Sequence, residues 1–185
     1  MYLMKLILMS DQEVIDRKTI MKFHGILAEY PKGSPVKEIF QISLREEKIQ
    51  DKAIKFQLWE FTSKIELETQ RNVFFLGSIG GIMVFDVTNK TTFDKCIKWI
   101  KEIWSKIGKP IPIVVIGLKT SQISEKIYKE TRKEISDQIK KLNSNIHSNG
   151  NEVYYSEIEE LSDLTVDSVF EYLGKIYLKN LLIEK

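Results

Sequence analysis

Residues 80–117 constrain the fold more than any other stretch. "GGIMVFDVT" is a short apolar run rich in β-branched and aromatic residues, as in a strand buried on both faces. "NKTTFDKCIKWIKEIWSKIG" follows, with Phe93, Ile97, Ile100, Ile103 and Trp104 on one helical stripe. Asn89 or Thr91 can cap its start and Gly108 can stop it. "IPIVVIG" then repeats the buried-strand pattern. A strand, a covering helix and a second strand imply parallel pairing under a helical layer.

The rest of the chain extends this pattern. Residues 2–9 read as a strand. Residues 16–29 have helical spacing through Ile20, Phe23, Ile26 and Leu27, weakened by Gly25, and "YPKGSP" breaks it. Residues 36–49 and 53–60 read as strands joined by "QDK" in a hairpin, and 65–76 as a short helix. A long charged helix over 122–142, the loop "NSNIHSNG", the strand "NEVYY" and a helix over 165–182 complete the order. The expectation is one α/β domain over 1–185: a six-stranded, mostly parallel sheet with one antiparallel edge strand and helices on both faces. Ligands bind such sheets at the carboxyl ends of the strands, which directs attention to loops 10–16, 60–65, 117–122 and 156–161.

Charge and cysteine usage narrow the partners. Lys+Arg 28 against Asp+Glu 26 leaves a net charge of +2, which argues for neither nucleic acid nor an anionic membrane. The one cysteine, Cys96, falls in a helical pattern and reads as a packed thiol in a reducing, cytoplasmic compartment. No run approaches the ~20 apolar residues of a membrane span. "MYLMKLILMS" lacks the basic start of a signal peptide, and "KNLLIEK" lacks a cysteine for a direct lipid anchor. His24 and His147 have no cysteine or acidic partners at metal spacing, so no metal is expected.

"IKFQLWEF", "GGIMVFDVTNKTTFDKCIKWIKEI" and "IPIVVIGLKTSQI" together resemble a Ras-superfamily small GTPase, closest to the Rab branch. The resemblance covers about residues 3–180 and is strongest from 53 to 120. It implies the three-layer P-loop NTPase, or G-domain, fold. It also implies a set of nucleotide-binding motifs, and there the chain departs. The family's Gly-x-x-x-x-Gly-Lys-Ser/Thr falls on Ser10 to Arg17. Both glycines are replaced, by Ser10 and Ile15; the lysine becomes Asp16 and the magnesium-binding hydroxyl becomes Arg17. No glycine occurs before Gly25, so no shift of register restores the loop.

Glycine lets backbone N–H groups approach phosphate closely, and lysine supplies positive charge. A unit charge pair at ~4 Å and an effective dielectric near 20 is worth about 4 kcal/mol. Exchanging lysine for Asp16 therefore swings phosphate binding by up to about 8 kcal/mol before screening, the whole free energy of a micromolar complex.

Other motifs depart independently. Asp-x-x-Gly becomes Glu60-Phe61-Thr62-Ser63, and the catalytic glutamine becomes Lys64. The guanine-reading Asn-Lys-x-Asp becomes Leu118-Lys119-Thr120-Ser121, retaining only Lys119. The late loop near Ser156–Leu161 is unrecognisable, and residues 30–42 contain no threonine to sense magnesium. The residues thus point to a pseudo-GTPase with no cofactor, acting as an adaptor or scaffold; the alternatives are a divergent small GTPase that still binds GTP, or a structural subunit paired through the hairpin edge 36–60.

Two expectations follow for the vacated site. Arg17 pairs with Glu60, and Lys119 pairs with Asp16 or Asp11. The family's effector surface falls on Ile42, Trp59 and Phe74, with Phe61 and Ile65 nearby, as a protein-binding patch. In the other arrangement the segment folds down, with Phe61 and Ile65 anchoring it.

Overall fold

A central strand, β1 (Tyr2–Ser10), is followed by α1 (Arg17–Met21), β2 (Ile26–Leu27), β3 (Phe40–Ile49) and β4 (Lys52–Phe61). Then come α2 (Glu68–Asn72), β5 (Gly80–Asp86), α3 (Lys90–Ile107), β6 (Ile113–Leu118), α4 (Glu125–Ser144), β7 (Val153–Ile158) and α5 (Asp163–Ile183). The structure is a computed structural model and describes residues 2–144, 146 and 151–183; the side chain of Ile65, and His147, lie outside the described residues. One sheet runs in the order β2-β3-β4-β1-β5-β6-β7. β1 pairs in parallel with β4 and β5, and β6 in parallel with β5 and β7, while β3 is antiparallel to both its neighbours.

The sheet therefore has seven strands rather than six, and the antiparallel strand lies one position in from the edge. The extra strand comes from the stretch whose spacing suggested a helix over 16–29. The helix stops at Met21, and Phe23 is buried. From Gly25 the chain runs beside β3, so close that a Cβ on Gly25 would sit 2.1 Å from the Leu44 carbonyl oxygen. Only glycine fits that approach. Ile26 opposes Leu44 and is 81% exposed, so its place in the apolar spacing reflected a strap and not a core face.

The β3–β4 hairpin turns through Gln50 and Asp51, both left-handed with φ of 49° and 61°. Instead of one helix over 65–76 there is a 3-10 turn at Ile65–Leu67 and the five-residue α2. Strand alternation splits the core. Met4, Leu6 and Leu8 face α1 and α5, packing with Phe56 and Phe170. Ile7 and Met9 face α3 and α4, packing with Phe85, Phe93 and Ile100. Asn89 accepts from the Thr91 amide at the start of α3, and Gly108 ends it left-handed. Cys96 is buried on this helix, and burial pushes its thiol pKa up. Trp99 is buried too, whereas Trp104 is half-buried and donates its indole N–H to the Ile111 carbonyl at 3.0 Å.

Candidate functional site

The loop after β1 is bonded to itself. The Asp11 backbone carbonyl accepts from the amides of Val14 and Ile15 at 3.0 and 2.8 Å. The buried Asp11 carboxylate accepts from the Glu13 amide at 3.3 Å and from Lys95 on α3 at 2.7 Å. Ile15 turns its side chain into the core. Asp16 is exposed and caps α1 through the Thr19 amide and hydroxyl; the bond from that hydroxyl, above all, holds its carboxyl below the ordinary range. Ser10 is buried, and its hydroxyl has no partner among the described residues.

Beside this loop, at the end of β4, the buried Glu60 is bonded from several sides. Arg17 donates to its Oε1, as expected from the sequence, and Gln12 approaches the same oxygen at 3.4 Å. His24 Nε2 lies 2.8 Å from Oε2, and its Nδ1 lies 2.9 Å from the Ser43 hydroxyl. Burial by itself raises the Glu60 pKa; the bonds from His24 and Arg17, with their charge, outweigh it, and the carboxyl ends below its ordinary value. The sequence marks His24 only as lacking metal-ligand neighbours. Its role here depends on Ser43 and Glu60 meeting across adjacent strands, which no local spacing shows.

These residues do not fit the magnesium-bound phosphate that the fold implies. Arg17, which the resemblance sets at the position of a metal-binding hydroxyl, bonds its guanidinium to Glu60. Two amides of the loop after β1 already have an acceptor in Asp11. The expected partner of Lys119 is corrected: Asp11 takes Lys95, and Asp16 takes Thr19. The Lys119 ammonium instead lies 4.8 Å from the Tyr128 ring centroid.

The loops after β5 and β6 are tied through Asp86, at the end of β5. Its carboxylate accepts from the Thr88 amide and hydroxyl at 2.8 and 2.7 Å and from the Thr120 hydroxyl. Ser121 is exposed, its hydroxyl 2.8 Å from that of Thr88, and Leu118 is buried as the last residue of β6. Thr120 and Ser121 are thus structural partners of the β5 loop in this arrangement.

The segment after β4 is folded down. Phe61 is fully buried, with ring centroids 5.7 Å from Phe40 and 4.9 Å from Phe75. It is therefore an anchor and not part of an exposed protein-binding patch. Ile42, Trp59 and Phe74 are half-buried. Phe40 lies 4.6 Å from Trp59 and 4.8 Å from Phe74, and the Lys5 ammonium sits 4.2 Å from the Trp59 ring centroid.

Ser63 is half-buried and Lys64 exposed. Arg71, which no motif marks, is only 1% exposed. Its guanidinium donates to the carbonyls of Lys64 at 2.9 Å and Thr62 at 3.4 Å, and meets Glu102 on α3 at 3.4 Å. Burial raises the Glu102 pKa, and the Arg71 charge only partly offsets it. The hairpin edge is not free along its length either. β2 covers Ser43 and Leu44, and the Tyr30 hydroxyl accepts from the Ile42 amide at 3.0 Å.

The Ras family model matches residues 5–179. The chain is 26% identical to the Ras-related protein Rab11D of Nicotiana tabacum, over 64% of this chain and 53% of that protein. It is 24% identical to the Ras-related protein RABA6a of Arabidopsis thaliana, over 95% of this chain and 70% of the relative. It is also 34% identical to the GTP-binding nuclear protein GSP1 of Encephalitozoon cuniculi, over 45% of this chain and 42% of that one. The chain spans about half the length of several curated relatives that it matches. Among the described residues, no helix is long and apolar enough to cross a membrane.

Proposed function

The chain belongs to the Ras family, and from that premise we propose that it is a nucleotide-independent member, a pseudo-GTPase. It works as a cytoplasmic adaptor or scaffold through protein contacts on its partly open strand surface. The Arg17–Glu60 pair carries this reading. On the register that the resemblance implies, a cation and an anion of the chain itself then stand in for the family's metal and phosphate. The self-bonded loop from Asp11 to Ile15 supports the same reading. Phe61 and Arg71 then hold the following segment in one position without a ligand, so that Ile42, Trp59 and Phe74 offer a partner a constant surface.

The competing reading is a divergent small GTPase that still binds GTP and hydrolyses it slowly. It draws on the GTP-binding relative and on a cleft of about 450 Å³ that remains beside Arg17 and Glu60. Isothermal titration with GTP and with GDP, each with and without Mg²⁺, separates the two. The adaptor reading expects no binding heat. A dissociation constant of about 1 μM or tighter, some 8 kcal/mol of binding free energy, would overturn it.

A further inference from the structure

Ser34 stands where a serine ordinarily caps a helix, and it does no capping. It precedes a single 3-10 turn over Pro35–Glu38, with an extended backbone of φ −62° and ψ 122°. A serine there ordinarily accepts from an amide of the turn. The Ser34 hydroxyl makes no such bond, nor any other to the described residues. Ser34 is half-buried, while residues 31–33 before it and Pro35 after it are exposed. No strand pairing holds this stretch, because β2 ends at Leu27 and β3 begins at Phe40. The Ser34 amide donates to the Pro31 carbonyl at 3.0 Å, a bond within the loop itself. A segment of this kind opens locally at small cost and can enter the active site of another protein.

The residues around Ser34 are selective. Of the four prolines only Pro35 follows a serine or threonine, and Lys37 stands three residues after Ser34. Proline has no backbone N–H. A protein kinase whose cleft offers that position no acceptor leaves an unpaired donor with any other residue, and so prefers proline. A lysine two residues further on suits an acidic pocket in the same cleft.

We propose that Ser34 is phosphorylated by a protein kinase of this proline-directed, base-preferring class, and that Lys37 then pairs with the phosphate. The serine Oγ attacks the γ-phosphorus of ATP and the bond from that phosphorus to the bridging oxygen breaks. ADP leaves with the electron pair, and the hydroxyl proton passes to the base of the kinase. The product carries about −1.5 to −2 charges at neutral pH. Lys37 is the third residue of the turn, a position whose side chain reaches back to the residue before the turn. It is exposed and has no ion-pair partner among the described residues; its ammonium lies 5.8 Å from the Tyr30 ring centroid. Because Lys37 also lines the cleft beside Arg17, the modification lowers the positive charge at the mouth of that cleft. The inference stands apart from the adaptor reading.

The test incubates the full chain with ATP and a purified cyclin-dependent kinase of that preference, followed by intact mass and fragment spectra. One phosphate is added, on Ser34. Ser34→Ala abolishes it, and Pro35→Ala slows it about tenfold or more. Thermal melting shows that both variants are folded. Phosphate on another residue, or an unchanged rate in Pro35→Ala, overturns the inference. So does an unmodified folded chain, whether or not a peptide of residues 28–40 accepts phosphate. Phosphorus-31 NMR reads the pairing: the second phosphate pKa, about 6 when free, falls in the folded chain and rises again in the phosphorylated Lys37→Ala variant. Equal values in the two overturn the role of Lys37. GTP binding overturns the adaptor reading and leaves this inference standing.

Discussion

Arg17–Glu60 and Arg71–Glu102 are both arginine–glutamate pairs, but only the first leaves its arginine in solvent. In the first the acid is buried, at 3%, and the arginine is 53% exposed. In the second the arginine is buried, at 1%, and the acid side chain is 8% exposed. Burial raises both carboxyls, yet Glu60 ends below its ordinary value and Glu102 above it. Glu60 has both oxygens bonded, by His24 and Arg17. Glu102 has one oxygen without a partner among the described residues, and its arginine is 3.4 Å away. A buried carboxylate is stabilised by the number of donors it receives more than by the nearness of one opposite charge. The first pair is organised around its acid; the second is organised around its base, which serves backbone carbonyls first.

The widest test of that contrast is Arg71→Ala. It removes the donors to the Thr62 and Lys64 carbonyls and leaves Glu102 buried and unpaired. Removing one partner of a buried ion pair costs about 3–5 kcal/mol, to be read by urea unfolding. Hydrogen exchange should accelerate in residues 62–67 ahead of the sheet. A loss below about 1 kcal/mol would mean that Phe61 holds the segment without help.

Next comes Glu60→Ala, which leaves the His24 ring buried without its acceptor and costs about 2–3 kcal/mol at neutral pH. The pH dependence has a definite sign. A carboxyl lowered on folding contributes stability above its unfolded pKa and loses it as pH falls through the lowered folded value. Stability curves of the native chain and the variant should therefore converge below about pH 4. A constant gap down to strong acid would assign the loss to packing.

The smallest effect is expected for Glu102→Gln, within about 1 kcal/mol of the native chain. A carboxyl raised on folding carries a penalty above its folded pKa that disappears below the unfolded one, and glutamine escapes it. A loss as large as that of Arg71→Ala would show that the second pair acts as a unit, and the contrast would fail.

Much of the scaffold was legible because it is periodic. The stripe from Phe93 to Ile103, capped by Asn89 and ended by Gly108, reads the same in the chain and in the fold. Glu60 was legible because β4 lies where the resemblance is strongest, and Arg17 because matching the following helix at Phe23 sets the register of the loop from Ser10 to Arg17. Lys95 was not, because its contact with Asp11 depends on how α3 passes the loop. Arg71 left no trace either: its acceptors are carbonyls in an irregular segment, and Glu102 is far along the chain. The seventh strand was hidden for a different reason. Ile26 and Leu27 complete a helical apolar spacing, and only Gly25 within it hinted that the backbone must pass close to another strand.

That short strap has a colloidal consequence. A bare strand edge offers rows of amides and carbonyls to any other edge that drifts by, which is how sheets recruit copies of themselves. Here residues 26–28 and the Tyr30 hydroxyl occupy the middle of that row, from Ile42 to Leu44. The stretch of β3 left uncovered, from Arg45 to Lys48, is charged at every position. At high concentration that side offers only the two-residue outer edge of β2 and a charged stretch of β3, which works against growth of the sheet from one molecule into the next.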